Sequence, residues 1–186
     1  MDYINKNSLK IIEVLDSQRL YFNEIHEKTE IKSKNNILKN LTLLVKKEIL
    51  FREANKSNTY YSLNYKNQLT LSLLDLLNKE KFSKLPFQIR KSILDSINVL
   101  TPKVAILFGS YAKGNYSKES DIDLVFIESA ENPSLIIEIE KKYGTKINCI
   151  SMKFKELNLE NESVAHILKT GFPLVGKEYF YDKREI

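Results

Sequence analysis

The chain has 186 residues, enough for one domain or two small ones, and its formal net charge of +5 suggests an acidic partner. It contains a single cysteine, which excludes an internal disulfide. No apolar run approaches the length of a membrane span, and the first residues lack the apolar core of a secretory signal. These features predict a cytoplasmic protein with no membrane partner.

The first part of the chain predicts three helices followed by a β-hairpin. Ser8 is suited to cap a first helix, and a second helix follows it. Ser33 can cap a third, in which apolar residues recur at helical spacing from Ile37 to Leu44. Two short alternating runs, residues 49–52 and 59–63, predict the two strands of the hairpin.

The rest of the chain changes from helices to alternating strands and helices. Residues 66–100 predict helices, with Pro86 in the first turn of the second one and no flexible Gly/Ser linker. Strands are predicted over residues 104–108, 122–127, 146–152 and 174–181, and helices over residues 133–143 and near 164–168. Such alternation is typical of an α/β or α+β domain.

The N-terminal stretch IKSKNNILKNLTLLVKKEILFREANKSNTYYSLN resembles the winged helix-turn-helix pattern of transcription regulators, over roughly residues 8 to 65. In that fold the third helix enters the major groove, where Lys and Asn suit phosphates and base edges. The resemblance implies binding of double-stranded DNA and a homodimer. A charged face that docks a protein instead is the alternative. The candidate DNA-binding residues are Lys32, Ser33, Lys34, Asn35, Asn36, Lys39, Asn40, Arg52 and Lys56.

Two aspartates in the second half of the chain predict a metal site. Asp121 and Asp123 are two residues apart on a predicted strand, so both carboxylates project from the same face. Their charges repel unless a cation lies between them, and hard oxygen ligands favour Mg²⁺. Upstream, Gly109 and Ser110 follow a strand and open a helix, where free backbone N–H groups can hold a phosphate.

The order Gly109-Ser110, Gly114 and Ser120-Asp121-Ile122-Asp123-Leu124 resembles the signature of the nucleotidyltransferase superfamily related to DNA polymerase beta. The resemblance covers roughly residues 85 to 182 and is closest to the minimal nucleotidyltransferases of prokaryotes. It implies transfer of a nucleoside monophosphate from an NTP, with ATP expected, to an acceptor, with Mg²⁺ or Mn²⁺ as cofactor. Asp121 and Asp123 would then be the catalytic metal ligands. The implied nucleotide-binding residues are Gly109, Ser110, Lys113, Gly114 and Ser120.

The chain departs from this family at the place of its third carboxylate, where Asn148 stands. The resemblance places Asn148 at the catalytic position of the family's third aspartate, although a neutral amide cannot act as a general base. One hypothesis is an active transferase, similar to antitoxins that adenylylate a separate HEPN-type toxin. The other is a transcription regulator whose degenerate transferase domain serves as a nucleotide- or protein-binding sensor.

Together these patterns predict an α+β chain with three parts. Residues 1–65 form a winged helix-turn-helix, residues 66–84 a helical connector, and residues 85–186 a nucleotidyltransferase domain. The last part is expected to contain a mixed sheet with flanking helices.

Overall fold

A computed structural model describes residues 3–130 and 132–184 of the chain. These residues form two compact units, divided between Leu77 and Asn78. The division lies inside helix α4 (Gln68–Ser83). Within the described ranges, no helix is both long enough and apolar enough to cross a membrane.

The first unit combines helices with a small antiparallel sheet. Along the chain, a two-residue strand, β1, lies between helices α1 and α2. Helix α3 follows and is connected to a hairpin of strands β2 and β3. Strand β3 is central in the sheet and pairs with both β1 and β2. The bounds are α1 Lys6–Leu15, β1 Leu20–Tyr21, α2 Phe22–Thr29, α3 Lys34–Lys46, β2 Leu50–Ala54 and β3 Thr59–Leu63.

The capping prediction at Ser8 is wrong, because helix α1 begins earlier. Asn5 is the N-cap, and its side chain accepts hydrogen bonds from the backbone N–H groups of Asn7 and Ser8. Ser8 is fully buried in the first turn, and its hydroxyl donates to Asn40 Oδ1 at 2.6 Å. Ser33, by contrast, is confirmed as the N-cap of α3.

The second unit is built on a mixed four-stranded sheet of order β6-β5-β4-β7. Strands β5 and β6 are parallel, and the other pairs are antiparallel. A 3₁₀ turn, Phe154–Glu156, follows β6. The bounds are α5 Phe87–Leu100, β4 Val104–Phe108, α6 Gly109–Lys113, β5 Ile122–Ile127, α7 Pro133–Tyr143, β6 Ile147–Met152, α8 Glu162–Thr170, β7 Phe172–Val175 and α9 Lys177–Asp182. The predicted α+β class is thus confirmed.

Strand β5 is buried on both faces of this sheet over most of its length. Ile122, Leu124 and Phe126 belong to the core cluster that also contains residues of α5 and α7. Because side chains alternate along a strand, Asp123 projects from the opposite face. Burial of the apolar run fixes the register of β5, so it also fixes where this aspartate emerges.

The predicted strand over residues 174–181 is wrong for most of its length. Strand β7 ends at Val175, and helix α9 begins at Lys177. Between them Gly176 has a φ of +71°, and a Cβ there would lie 2.3 Å from the carbonyl oxygen of Lys103. A backbone conformation that only glycine adopts easily, at a site with no room for a side chain, ends the strand.

Candidate active site

The two aspartates lie at one end of the central strand β5, beside strands β4 and β6. Asp121 immediately precedes β5, and Asp123 is its second residue. Asp123 pairs with Phe108 of β4 on one side and with Asn148 of β6 on the other. The sheet therefore brings the end of β4, both aspartates and Asn148 to one place.

Gly109 lies directly against the carboxylate of Asp123. Its φ is +71°, and a Cβ at this position would lie 2.0 Å from Asp123 Oδ2 and 2.9 Å from Asp123 Cγ. No other residue type could occupy the turn without moving the aspartate. The Gly109 turn and Asp123, predicted as separate features of one motif, are thus in contact.

Asn148 and Lys146 meet the aspartates from the neighbouring strand. Asn148 Nδ2 donates to Asp123 Oδ1 at 3.0 Å and to Asp121 Oδ2 at 3.4 Å. Lys146 Nζ forms an ion pair with Asp121 Oδ2 at 3.1 Å. Sequence reasoning overlooked Lys146, which lies two residues before Asn148 and so shares its face.

The nearby glutamates do not supply the missing third carboxylate. Glu140 Oε1 accepts a hydrogen bond from the backbone N–H of Ile147 at 2.7 Å. Glu128 follows the far end of β5 and accepts from the backbone N–H of Phe154. Among the described residues, no group of three or more His, Cys, Asp or Glu side chains could hold a metal ion.

The site nevertheless fits one Mg²⁺ or Mn²⁺ ion. Both carboxylates lie within hydrogen-bonding distance of one nitrogen, Asn148 Nδ2, so a single small group can contact both. The Asp121 side chain is 33% exposed, which leaves it open to solvent and ligands. Mg²⁺ commonly binds one or two protein carboxylates and completes its shell with water and phosphate oxygens.

The other predicted nucleotide-binding residues lie on or after the short helix α6. Ser110 is half-buried in its first turn, and Lys113 is exposed in its last turn. Gly114 caps the helix with a φ of +75° and open space around the Cβ position. Ser120 Oγ accepts a hydrogen bond from the backbone N–H of Ser117 at 2.8 Å, which orders the loop before Asp121.

A pair of tyrosines supports this loop, and the sequence analysis did not single it out. Tyr111 is buried, and its ring stacks on that of Tyr116 with centroids 4.6 Å apart. Burial, with smaller contributions from Tyr116 and Asp121, raises the pKa of the Tyr111 phenol. Tyr111 is therefore a neutral side chain that holds α6 against the loop.

The candidate DNA-binding residues lie mainly on the exposed side of α3 and on the hairpin. Lys32, Lys34, Asn35, Lys39, Arg52 and Lys56 are exposed, as is the N-cap Ser33. The prediction that Asn40 contacts DNA is wrong, because this residue is only 3% exposed and its Oδ1 accepts a hydrogen bond from Ser8 Oγ. Its Nδ2 also donates to Asn36 Oδ1 at 2.7 Å, which engages the half-buried Asn36. Asn40 is therefore unavailable to DNA.

Comparisons with known proteins agree with the geometry of the second unit. Residues 91–179 match the family described as polymerase beta, nucleotidyltransferase. A solved structure, described as a toxin-antitoxin with AMP-PNP, is 21% identical with a TM-score of 0.36. That match covers 52% of this chain and 81% of the other, and it is too distant to support an argument about function.

A closer relative comes from Methanocaldococcus jannaschii and is named, provisionally, as a protein adenylyltransferase. The two chains are 39% identical over 69 residues, which cover 32% of this chain and 69% of the relative. The aspartate pair, the glycine turn and this similarity lead to one conclusion. The chain belongs to the polymerase beta-type nucleotidyltransferase family.

Proposed function

We propose that the chain transfers a nucleoside monophosphate from a nucleoside triphosphate, with ATP as the expected donor, to a macromolecular acceptor. The observation that carries this proposal is the contact of Gly109 with Asp123, beside Asp121, at the exposed end of β5. The family's chemistry supports the reaction class. The name of the M. jannaschii relative supports a protein as acceptor.

In this proposal each site residue has a distinct task. Asp121 and Asp123 bind and orient the divalent metal, which when bound stabilises charge on the attacking and leaving oxygens. Gly109 leaves room for the Asp123 carboxylate beside the turn, and Ser110 binds a phosphate of the nucleotide. Lys113, Gly114 and Ser120 shape the turn around the nucleotide. An acceptor hydroxyl displaces pyrophosphate from the α-phosphorus.

Asn148 changes one step of this chemistry. Its amide orients the two aspartates, but it cannot take the proton of the acceptor hydroxyl. We assign that proton to solvent. Since general base assistance is typically worth about 10²- to 10⁴-fold, the expected transfer is slow compared with a site that has three carboxylates.

The test is transfer of label from ATP labelled at the α-phosphate, with Mg²⁺ and then Mn²⁺. The protein is assayed alone, with tRNA, and with lysate of the source cell, which contains any separate HEPN-type toxin. The control is the Asp121→Asn/Asp123→Asn variant. A discrete labelled acceptor that disappears in this variant supports the proposal. Equal labelling by the variant contradicts it.

A second candidate is a sensor that binds a nucleotide without transferring it. It is favoured by Asn148, a neutral amide that donates to Asp123 at the position where the family has a third carboxylate. This candidate predicts Mg²⁺-dependent binding of ATP, measured by calorimetry, with no label on any acceptor.

We also propose that residues 1–65 form a winged helix-turn-helix that binds double-stranded DNA as a homodimer. Residues 66–84 would connect it to the transferase domain, residues 85–186. Support comes from the element order α1-β1-α2-α3-β2-β3, with β1 and β2 flanking β3, and from the exposed lysines of α3. The alternative is a basic face that docks a protein.

The DNA proposal predicts a salt dependence that lysine substitutions reduce. Replacing both Lys34 and Lys39 with Ala should lower the slope of log affinity against log salt by about two, since each phosphate contact contributes about one. Lys141→Ala, in the other unit, is the control. An unchanged slope in the double variant contradicts DNA binding through α3.

A further inference from the structure

The side chain of Lys146 occupies a place at the aspartate pair that no sequence motif predicted. Its Nζ is 3.1 Å from Asp121 Oδ2, and this oxygen also accepts from Asn148 Nδ2 at 3.4 Å. Lys146 and Asn148 alternate with the buried Ile147, so both project toward the aspartates. A lysine ammonium therefore contacts a carboxylate that, under the proposed function, binds the metal.

The charges at the site favour an exchange of cations. Two carboxylates carry two negative charges, and Asn148 adds none where the family has a third acid. Lys146 balances one charge while no metal is bound. A divalent cation held by the same carboxylates would be close to the ammonium of Lys146, and two like charges at short distance repel.

The Lys146 ion pair is easily broken. The Lys146 side chain is 68% exposed and the Asp121 side chain 33% exposed. Solvent screening makes such a pair weak, and the four-carbon stem lets the ammonium move freely. A nucleotide phosphate bound beside Asp121 would be within reach of that ammonium, and lysine is a common phosphate ligand.

We propose that Lys146 is an exchangeable counter-cation, which pairs with Asp121 in the metal-free protein and with the nucleotide phosphates once metal and nucleotide bind. This inference rests on the proposed metal site at Asp121 and Asp123. Lys146 weakens the binding of metal alone and strengthens the binding of the metal–nucleotide complex. The protein then loads its metal together with the nucleotide.

The test measures two affinities on the full chain. Mn²⁺ alone is titrated by electron paramagnetic resonance, and a non-hydrolysable ATP analogue is titrated at saturating Mg²⁺ by calorimetry. Lys146→Met keeps the stem and removes the charge. Lys142→Met is the matched control, because Lys142 forms an ion pair with Asp95 at 2.8 Å and is 62% exposed.

The two affinities should move in opposite directions in Lys146→Met. Mn²⁺ should bind about two- to five-fold tighter and the ATP analogue about two- to five-fold weaker, the size expected for an exposed charge pair. Lys146→Arg should retain the wild-type values, and Lys142→Met should change neither. Affinities that stay unchanged, or that move in the same direction, overturn the inference.

A further variant separates this inference from the proposed function. If Asp121→Asn/Asp123→Asn binds Mn²⁺ as tightly as the wild type, the metal site itself is wrong. If that variant loses Mn²⁺ while Lys146→Met behaves as the wild type, the metal site stands and the exchange is wrong. A wild-type chain that binds Mn²⁺ neither alone nor together with the ATP analogue contradicts both.

Discussion

The contact between Gly109 and Asp123 makes a sharp prediction for Gly109→Ala. The added Cβ would lie 2.0 Å from Asp123 Oδ2, below the 3.0 Å that real Cβ contacts respect. A φ of +71° adds strain of about 1–2 kcal/mol for a residue with a Cβ. Since the closest atom belongs to a half-buried side chain, we expect Asp123 to rotate away and relieve the clash. This rotation would move a ligand of the proposed metal site out of place.

Gly144→Ala is the matched control for this variant. Gly144 has a φ of +65° with open space around its Cβ position, so it carries the same backbone strain without the clash. Both variants should lose about 1–2 kcal/mol of unfolding free energy in urea titrations. Only Gly109→Ala should lose Mn²⁺ affinity, by about 10- to 100-fold, as when metal ligands are misoriented. Equal Mn²⁺ affinity in the two variants would refute the argument.

Three further predictions test the site and the two units. Asn148→Asp restores the third carboxylate, and the rate of transfer from α-labelled ATP should rise about 10²- to 10⁴-fold; a slower variant would contradict the role given to Asn148. The hydrogen bond from Lys142 is the largest cause of a lowered pKa for Asp95. The ion pair therefore stabilises the folded state at pH values above the unfolded-state pKa of Asp95. This stabilisation is lost as pH falls through the lowered folded-state pKa. Urea titrations should therefore find Asp95→Asn less stable than the wild type at pH 5 to 8. The difference should shrink progressively only as pH falls below about 4, and a difference independent of pH would argue against this ion pair. Asn40→Ala leaves the buried Ser8 hydroxyl without its acceptor and should cost about 1–3 kcal/mol of unfolding free energy, so an unchanged urea midpoint would contradict the buried contact.

Most elements of the fold could be predicted because their signals are local. Helical spacing of apolar residues identifies α3, and the continuous apolar run from Leu124 to Ile127 identifies β5. Strand β1 was not predicted, since two residues carry no periodicity and the strand exists only through its pairing with β3. The aromatic run after Gly176 alternates like a strand, yet it forms α9.

The site could be predicted only where its residues are close in sequence. Asp121, Asp123 and Gly109 lie on one short stretch, and the contact of Gly109 with Asp123 follows from the antiparallel pairing of β4 and β5. Lys146 depends on the parallel pairing of β5 and β6 across a helical crossover, which no local pattern specifies. Asn40 was misjudged for the same reason, because its partner Ser8 lies 32 positions away.

The central claim is that this chain moves a nucleoside monophosphate with the aspartate pair at the end of β5. The most direct measurement compares ATP labelled at the α-phosphate with ATP labelled at the γ-phosphate, in lysate of the source cell with added Mg²⁺. Relative to lysate without the added protein, the account predicts one additional discrete acceptor, labelled from α-labelled ATP alone and not labelled with the Asp121→Asn/Asp123→Asn variant. Labelling of that acceptor from γ-labelled ATP, or α-label that survives in the variant, would contradict it.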